Sequence, residues 1–310
     1  MILIADIGGT NSRFGLLKNR RICSLKIYKS KNFKSFYQVL RQYLSDLKIE
    51  TKPVTAFFAV AGPVFKNIAY LTNLNWKISV PYLKRSFGFK KIILVNDLYS
   101  LSASSLLLKR QYILNLKKGK VKQSVPKAFI APGTGLGEAI LVKKDPLIIL
   151  PTEGGHIFFS PLNDEEFGYL NFLKEKEEEL SWEKALSGKA LSYWYEYFYK
   201  EILKPEEITE FAKKGDKKAL KVIQKFLELL GRKSSQLALY SLPQGGIYLA
   251  GGVIHALKIF LEKKEFKEKF LKGYFENKKM QKVLEEFSIN IITHPNPCLL
   301  GALAILRNQI

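Results

Sequence analysis

The sequence predicts a mixed α/β protein made of two related halves, and three observations predict it. The chain of 310 residues exceeds the size at which one hydrophobic core keeps growing, so two domains with a cleft between them are expected. It opens as strand, tight turn and strand: 2–7 is apolar, Gly8-Gly9-Thr10-Asn11 breaks it, and 13–17 resumes it. The same arrangement returns further on, where 128–131 is followed by Gly133-Thr134-Gly135-Leu136-Gly137 and a second strand over 139–142. Two such hairpins read as two halves, each presenting a phosphate-binding turn to a shared cleft.

The remaining elements follow in order. A helix is predicted over 36–47, a buried strand over 54–60, a second helix over 80–87 and a strand over 92–95. Asn96-Asp97 then precedes a small-residue helix over 100–107. Beyond the second hairpin, a loop holds Glu153-Gly154-Gly155-His156, and the chain turns helical and charged from 165 to 200. Helices continue over 219–230 and on to 240. A strand over 246–250 ends at Gly251-Gly252, basic helices follow, and a strand over 289–292 precedes an apolar terminal helix over 299–306. No low-complexity linker interrupts the chain, so any boundary is a hinge at element ends.

Composition excludes several classes. Hydrophobic residues make up 47% and charged residues 25%, as in a folded soluble protein. No apolar run approaches a membrane span, and Met1 leads straight into Ile2-Leu3-Ile4-Ala5 without a basic leader or cleavage site, so a cytoplasmic protein is expected. Cys23 and Cys298 lie far apart and outside any zinc-binding pattern, so two free thiols and no zinc are expected. The net charge of +22 is abnormal and invites a nucleic-acid reading. Its excess is scattered over 18–34, with seven basic residues and no acid, over 109–127 and over 258–282, without a nucleic-acid-binding motif. A lysine-rich solvated surface, with no specific nucleic acid and no membrane as partner, is the reading that follows.

The chemistry lies in the turns and a few polar residues. Successive backbone amides converge on an anion where no Cβ intervenes, which points to phosphate, although glycine also makes ordinary hairpin turns. Neither turn is a Walker A motif or a dinucleotide fingerprint. Asp97 stands at the carboxyl end of a predicted strand, where open α/β sheets place their sites; it reads equally as a base or as the cap of the next helix. The glycines of Glu153-Gly154-Gly155-His156 argue against a helical metal motif, and its acceptors and donors suit sugar hydroxyls, though a lone histidine is often structural. Glu183, in a charged helical stretch, reads by itself as solvent-facing.

Taken together, Ala5-Asp6-Ile7-Gly8-Gly9-Thr10-Asn11, Ala61-Gly62-Pro63, Thr72-Asn73 with Trp76, Val95-Asn96-Asp97, Pro132-Gly133-Thr134-Gly135-Leu136-Gly137, Glu153-Gly154-Gly155-His156, Glu183 with Leu186-Ser187-Gly188, and Leu249-Ala250-Gly251-Gly252 resemble the bacterial glucokinase family in order and spacing. The resemblance implies a two-lobed actin-like ATPase (ribonuclease H-like) fold with the active-site cleft between lobes. Residues 1–107 would form the small lobe, completed by the terminal helix over 297–310, and 108–296 the large one. It implies ATP-dependent phosphorylation of glucose with Mg2+, in glycolysis, usually by a homodimer. Carried over by position, Ala5, Asp6, Ile7, Gly8, Gly9, Thr10 and Asn11 would meet the ATP phosphates, with Asp6 toward magnesium. Gly133, Thr134 and Gly135 would close on the phosphates, and Gly251 and Gly252 would lie near the adenosine. Asn96, Asp97, Glu153, His156 and Glu183 would ring the sugar, Asp97 taking the proton from the attacking hydroxyl. Lys189-Ala190 and Pro297-Cys298 stand where the family usually has Pro-Gly. A kinase for another hexose or amino sugar is the nearest alternative, and a non-catalytic sugar, nucleotide or nucleic-acid binder the distant one, which would have no need of Asp97 with two phosphate turns.

Overall fold

The computed structural model describes residues 1–47, 52–120 and 123–308, so 309 and 310 of the expected terminal helix lie outside the described residues. The chain divides into two compact units, 1–109 with 294–310, and 110–293. In the first, β1 (Ile2–Ile7) and β2 (Asn11–Lys18) form the expected hairpin, and β3 (Arg21–Lys29), α1 (Phe36–Asp46) and β4 (Thr55–Val60) follow. A small sheet of β5 (Val64–Phe65), β6 (Ile68–Leu71) and β7 (Trp76–Ser79) leads to α2 (Val80–Phe87), β8 (Lys91–Asn96) and α3 (Asp97–Ser104). The main sheet runs β3-β2-β1-β4-β8. Strand β1 is antiparallel to β2 and parallel to β4, which is parallel to β8. Its core packs Phe14, Phe36, Tyr43 and Phe58 among aliphatic side chains of β1 and α1.

The second unit contains β9 (Ile113–Lys117), β10 (Lys127–Pro132), β11 (Leu136–Lys144), β12 (Leu147–Thr152), α4 (Asp164–Glu175), α5 (Trp182–Ala185), α6 (Gly188–Tyr199) and α7 (Pro205–Lys213). It continues with α8 (Lys217–Ser241), β13 (Ile247–Leu249), α9 (Gly252–Leu261), α10 (Lys264–Tyr274), α11 (Gln281–Glu285) and β14 (Ile289–Ile292). The sheet order is β12-β11-β10-β13-β14-β9. Apart from β9, its order and strand directions repeat those of the first sheet. The echo between the hairpins is therefore a repeat of topology, in the two-lobed α/β fold that the resemblance implies.

The last helix, α12 (Pro297–Asn308), belongs to the first unit and packs on α3. Contact is close because residue 301 is glycine: a Cβ there would lie 1.6 Å from the Ser100 carbonyl oxygen. Ser100 Oγ donates to the Cys298 carbonyl at 2.7 Å, fixing the start of α12 beside α3.

Several elements depart from the sequence reading. The cationic stretch after Lys18 is not only solvated surface but the edge strand β3, which lacks a buried face and so shows no alternation. Strand β12 contains Pro151, which an edge strand tolerates but which reads as a break. The stretch 165–200 is three helices, interrupted where Phe158 bridges to Ser181. Residues 217–241 form one helix, α8. Helix α3 starts at Asp97, not at 100. Among the described residues no helix is long and apolar enough to cross a membrane, and Cys23 and Cys298 are free thiols.

Candidate active site

In the first unit, parallel register aligns Ile7 of β1 with Val60 of β4, and Val60 with Asn96 of β8. The turn after β1, the segment Ala61-Gly62-Pro63 and Asn96-Asp97 thus share the carboxyl edge of the sheet, where side chains and loops are free to form a site. The turn is internally tied: Gly8 N–H donates to Asn11 O at 3.0 Å, Ser30 N–H to Thr10 O at 3.0 Å, and Ser30 Oγ to Gly8 O at 2.8 Å. Ala5 and Ile7 are completely buried in the core and their main chain is paired on both sides, to β2 and β4, so they hold the turn in place and, against the expectation, do not themselves face a ligand.

Asp6 lies opposite Arg13 in the hairpin register, and their side chains pair at 3.3 Å. Burial pushes the Asp6 carboxyl up, against the pull of the Arg13 guanidinium. Cys298, at the start of α12, adjoins this carboxylate and also reaches the Asp97 carbonyl at 3.7 Å. Burial first, then the charges of Asp6 and Asp97, push its thiol well up, so it remains protonated. Arg13 was not singled out from sequence, and Cys298 was read only as a free thiol and a departure from the family pattern, not as a neighbour of Asp6; a charged pair facing across a short hairpin is the signal that could have found Arg13.

The alternative reading of Asp97 as a helix cap is corrected. Asn96 has the extended backbone of an N-cap, its Oδ1 accepts the Leu98 N–H at 2.8 Å, and its Nδ2 donates to Gly62 O at 3.1 Å. Asp97 is the first helical residue, and its Oδ1 shares the Leu98 N–H at 2.9 Å. The cap is thus in place without Asp97, and its carboxylate carries negative charge at the positive end of α3.

In the second unit, Gly133-Thr134-Gly135 follows β10. Gly133 N–H donates to Gly135 O at 2.8 Å, and Gly188 N–H donates to Gly133 O at 2.8 Å. Gly251, with φ of +93°, lies between β13 and α9 against the end of β10, where a Cβ would lie 2.6 Å from Pro132 O. Glycine is required there on both counts. Gly252 begins α9, and a Cβ on it would meet nothing within 4 Å.

Glu183 is not the solvent-facing residue of a long charged helix. It sits on the short α5, half-buried, and its Oε2 accepts the Leu136 N–H at 2.9 Å. A Cβ at residue 135 would come within 2.4 Å of that oxygen, so Gly135 lets the carboxylate close on the turn. Glu153 and His156 are exposed at either end of a single 3-10 turn. His156 Nδ1 lies 3.3 Å from Glu179 Oε2, which leaves Nε2 for a ligand. The two glycines between them lie flat on β11: a Cβ would meet Glu138 Oε2 at 2.2 Å from residue 154, and Leu136 O at 2.1 Å from residue 155. Leu136 therefore links the Gly-Thr-Gly turn, Glu183 and the Glu153 to His156 turn.

The family model described as Glucokinase matches residues 3–309. The Glucokinase of Photorhabdus laumondii subsp. laumondii is 33% identical over 318 residues, covering 99% of this chain and 97% of that protein. Among solved structures, a glucokinase from an Antarctic psychrotroph superposes with a TM-score of 0.80 at 28% identity, covering 99% of this chain and 98% of that one. A glucokinase from Balamuthia mandrillaris, in complex with glucose, superposes with a TM-score of 0.86 at 23% identity, covering 99% and 93%.

Proposed function

Because the chain belongs to the glucokinase family, we infer that it is an ATP-dependent glucokinase, a phosphotransferase with an alcohol group as acceptor that converts D-glucose to glucose 6-phosphate. The observation that carries the chemistry is the gathering of Asp6, the Gly8 to Asn11 turn and Asp97 at the carboxyl edge of one sheet, with the cap of α3 supplied by Asn96.

In the proposed mechanism, Asn96, Asp97, Glu153, His156 and Glu183 hold the sugar hydroxyls, and Asp97 is the catalytic base. The 6-hydroxyl oxygen attacks the γ-phosphorus, the bond from that phosphorus to the β,γ-bridging oxygen breaks, ADP leaves, and the hydroxyl proton passes to Asp97. The main chain of the turn Gly8 to Asn11, set in place by Ala5 to Ile7, and of Gly133, Thr134 and Gly135 supports the phosphates, with Gly251 and Gly252 beside the adenosine. Phosphoryl transfer asks mostly for positioning and charge stabilisation, which rigid, internally bonded turns supply. Among the described residues no three metal-ligating side chains converge. Mg2+ held with a nucleotide needs only one or two carboxylates beside phosphate oxygens and water. Asp6 fits that part, being largely buried with a carboxyl pushed up, so that a second cation would favour its ionised form. When bound, the ion would neutralise charge on the phosphates.

We extend the reading to a homodimer acting in the cytoplasm at the entry to glycolysis, which the family membership and the use of ATP support. The test is a coupled assay of the purified protein with Mg·ATP against a panel of hexoses and amino sugars. Glucose should be turned over fastest. Activity on none overturns the kinase reading, and a stronger preference for another sugar overturns the substrate.

A further inference from the structure

Beneath the Glu153 to His156 turn lies a pair of charges that none of the proposed chemistry uses. Glu138 of β11 and Lys233 of α8 are both completely buried and pair at 2.9 Å. A buried charge is costly unless it is paired; here Glu138 Oε1 meets the ammonium as a charge contact and accepts no well-directed hydrogen bond, so the hydrogen bonds that fix the pair are made by its other groups. The Lys233 ammonium also donates to the Gly154 carbonyl at 3.1 Å. Gly154 is fixed at three points: its N–H donates to Thr152 Oγ1 at 3.3 Å, its Cα lies against Glu138 Oε2, and its carbonyl accepts from Lys233. Glu138 is in turn held by Tyr240, seven residues beyond Lys233 on α8, whose hydroxyl donates to Oε2 at 2.8 Å. On its other side the Lys233 ammonium lies 5.7 Å from the centre of the Trp182 ring. Trp182 precedes Glu183, and its N–H donates to Ile157 O at 2.9 Å.

We propose that the Glu138–Lys233 pair is a positioning device for the sugar contacts, with Lys233 setting the Glu153 to His156 turn through the Gly154 carbonyl and steadying Glu183 through Trp182. This rests on the proposed sugar kinase reading. Neither side chain touches substrate. Both act on the residues that do, so their loss weakens glucose binding more than it slows the chemistry.

The test compares wild type with Lys233→Met, the neutral double variant Lys233→Met/Glu138→Gln, and Tyr240→Phe. Glucose KM, ATP KM, kcat and the hydrogen exchange of amides 153–157 are measured. Lys233→Met leaves a buried carboxylate without its partner; if it does not fold, the double variant, which leaves no orphaned charge, takes its place. Expected in the double variant are a glucose KM raised by up to about a hundredfold, the cost of an ångström's misplacement of positioned groups, with ATP KM and kcat far less affected, and faster exchange at 153–157. Tyr240→Phe, at a half-exposed position where folding is not at stake, loosens the same carboxylate and gives the same change to a smaller extent. A folded double variant with wild-type glucose KM and unchanged exchange overturns the proposal; if neither Lys233 variant folds, an unchanged KM and exchange in Tyr240→Phe overturns it. Wild type inactive on every sugar refutes the kinase reading instead, and the exchange measurement then decides the positioning role alone.

Discussion

Replacing Asp97 by asparagine, and Asn96 by alanine, separates catalysis from helix capping at two adjacent residues. In Asp97→Asn the cap remains, because Asn96 Oδ1 still accepts the Leu98 N–H. The new amide oxygen can keep the 2.9 Å contact that Asp97 Oδ1 makes with the same N–H. What is lost is a negative charge in the first turn of α3, worth about 0.3–1 kcal/mol, so the melting temperature should fall by no more than about 4 °C. Asparagine cannot take a proton, and kcat should fall by about 10² to 10⁴, the usual worth of a positioned general base. Asn96→Ala removes the cap, at about 1 kcal/mol, and the 3.1 Å hydrogen bond to Gly62 O, at about 1 kcal/mol more. It should melt lower than Asp97→Asn. The assays are thermal melting, calorimetric glucose binding and the coupled rate. If Asp97→Asn melts normally, binds glucose and still turns over at more than about a tenth of the wild-type rate, short of the general-base range, Asp97 is not the base.

Further outcomes are equally specific. A Cβ on residue 133 would meet nothing within 4 Å, so Gly133→Ala should fold and melt as wild type while its ATP KM rises; an unchanged ATP KM would mean that no phosphate approaches this turn. Burial alone would raise the carboxyl of Glu166 above its ordinary value of 4.5, but hydrogen bonds from Arg232 and Lys225 hold it down at about 2. Its contribution, on the order of 3 kcal/mol, is present above pH 4.5 and lost as pH falls through about 2. Glu166→Gln should therefore lower the urea midpoint at pH 7 and flatten its fall in acid; a fall as steep as that of wild type would refute the assignment. With a net charge of +22, the protein should bind duplex DNA at low salt and release it steeply toward physiological salt, whereas nanomolar, sequence-selective binding at physiological salt would contradict a solvated surface.

What the sequence determined by itself is local or periodic. The hairpin β1–β2, the strands β4, β8 and β14 and the helices α1 and α2 were legible because buried faces impose a period and glycine turns impose breaks within a few residues. The repeat of the two halves was legible from its turns, and the candidate site residues from their motifs. Edge strands β3 and β12 were not, since a strand exposed on its faces or broken by proline carries no period. Tertiary structure alone decided that Asn96 and not Asp97 caps α3, because the choice depends on backbone angles at the end of a strand. It alone brought Glu183 onto the Leu136 amide and joined Glu138 to Lys233. Glu138 is the one acidic residue of β11, set among its apolar residues and away from Lys143 and Lys144 at the strand's far end, which asks for a partner but does not name it. Pairing across so long a stretch of chain is settled by how α8 packs on β10 and β11, and no local pattern of residues encodes that packing.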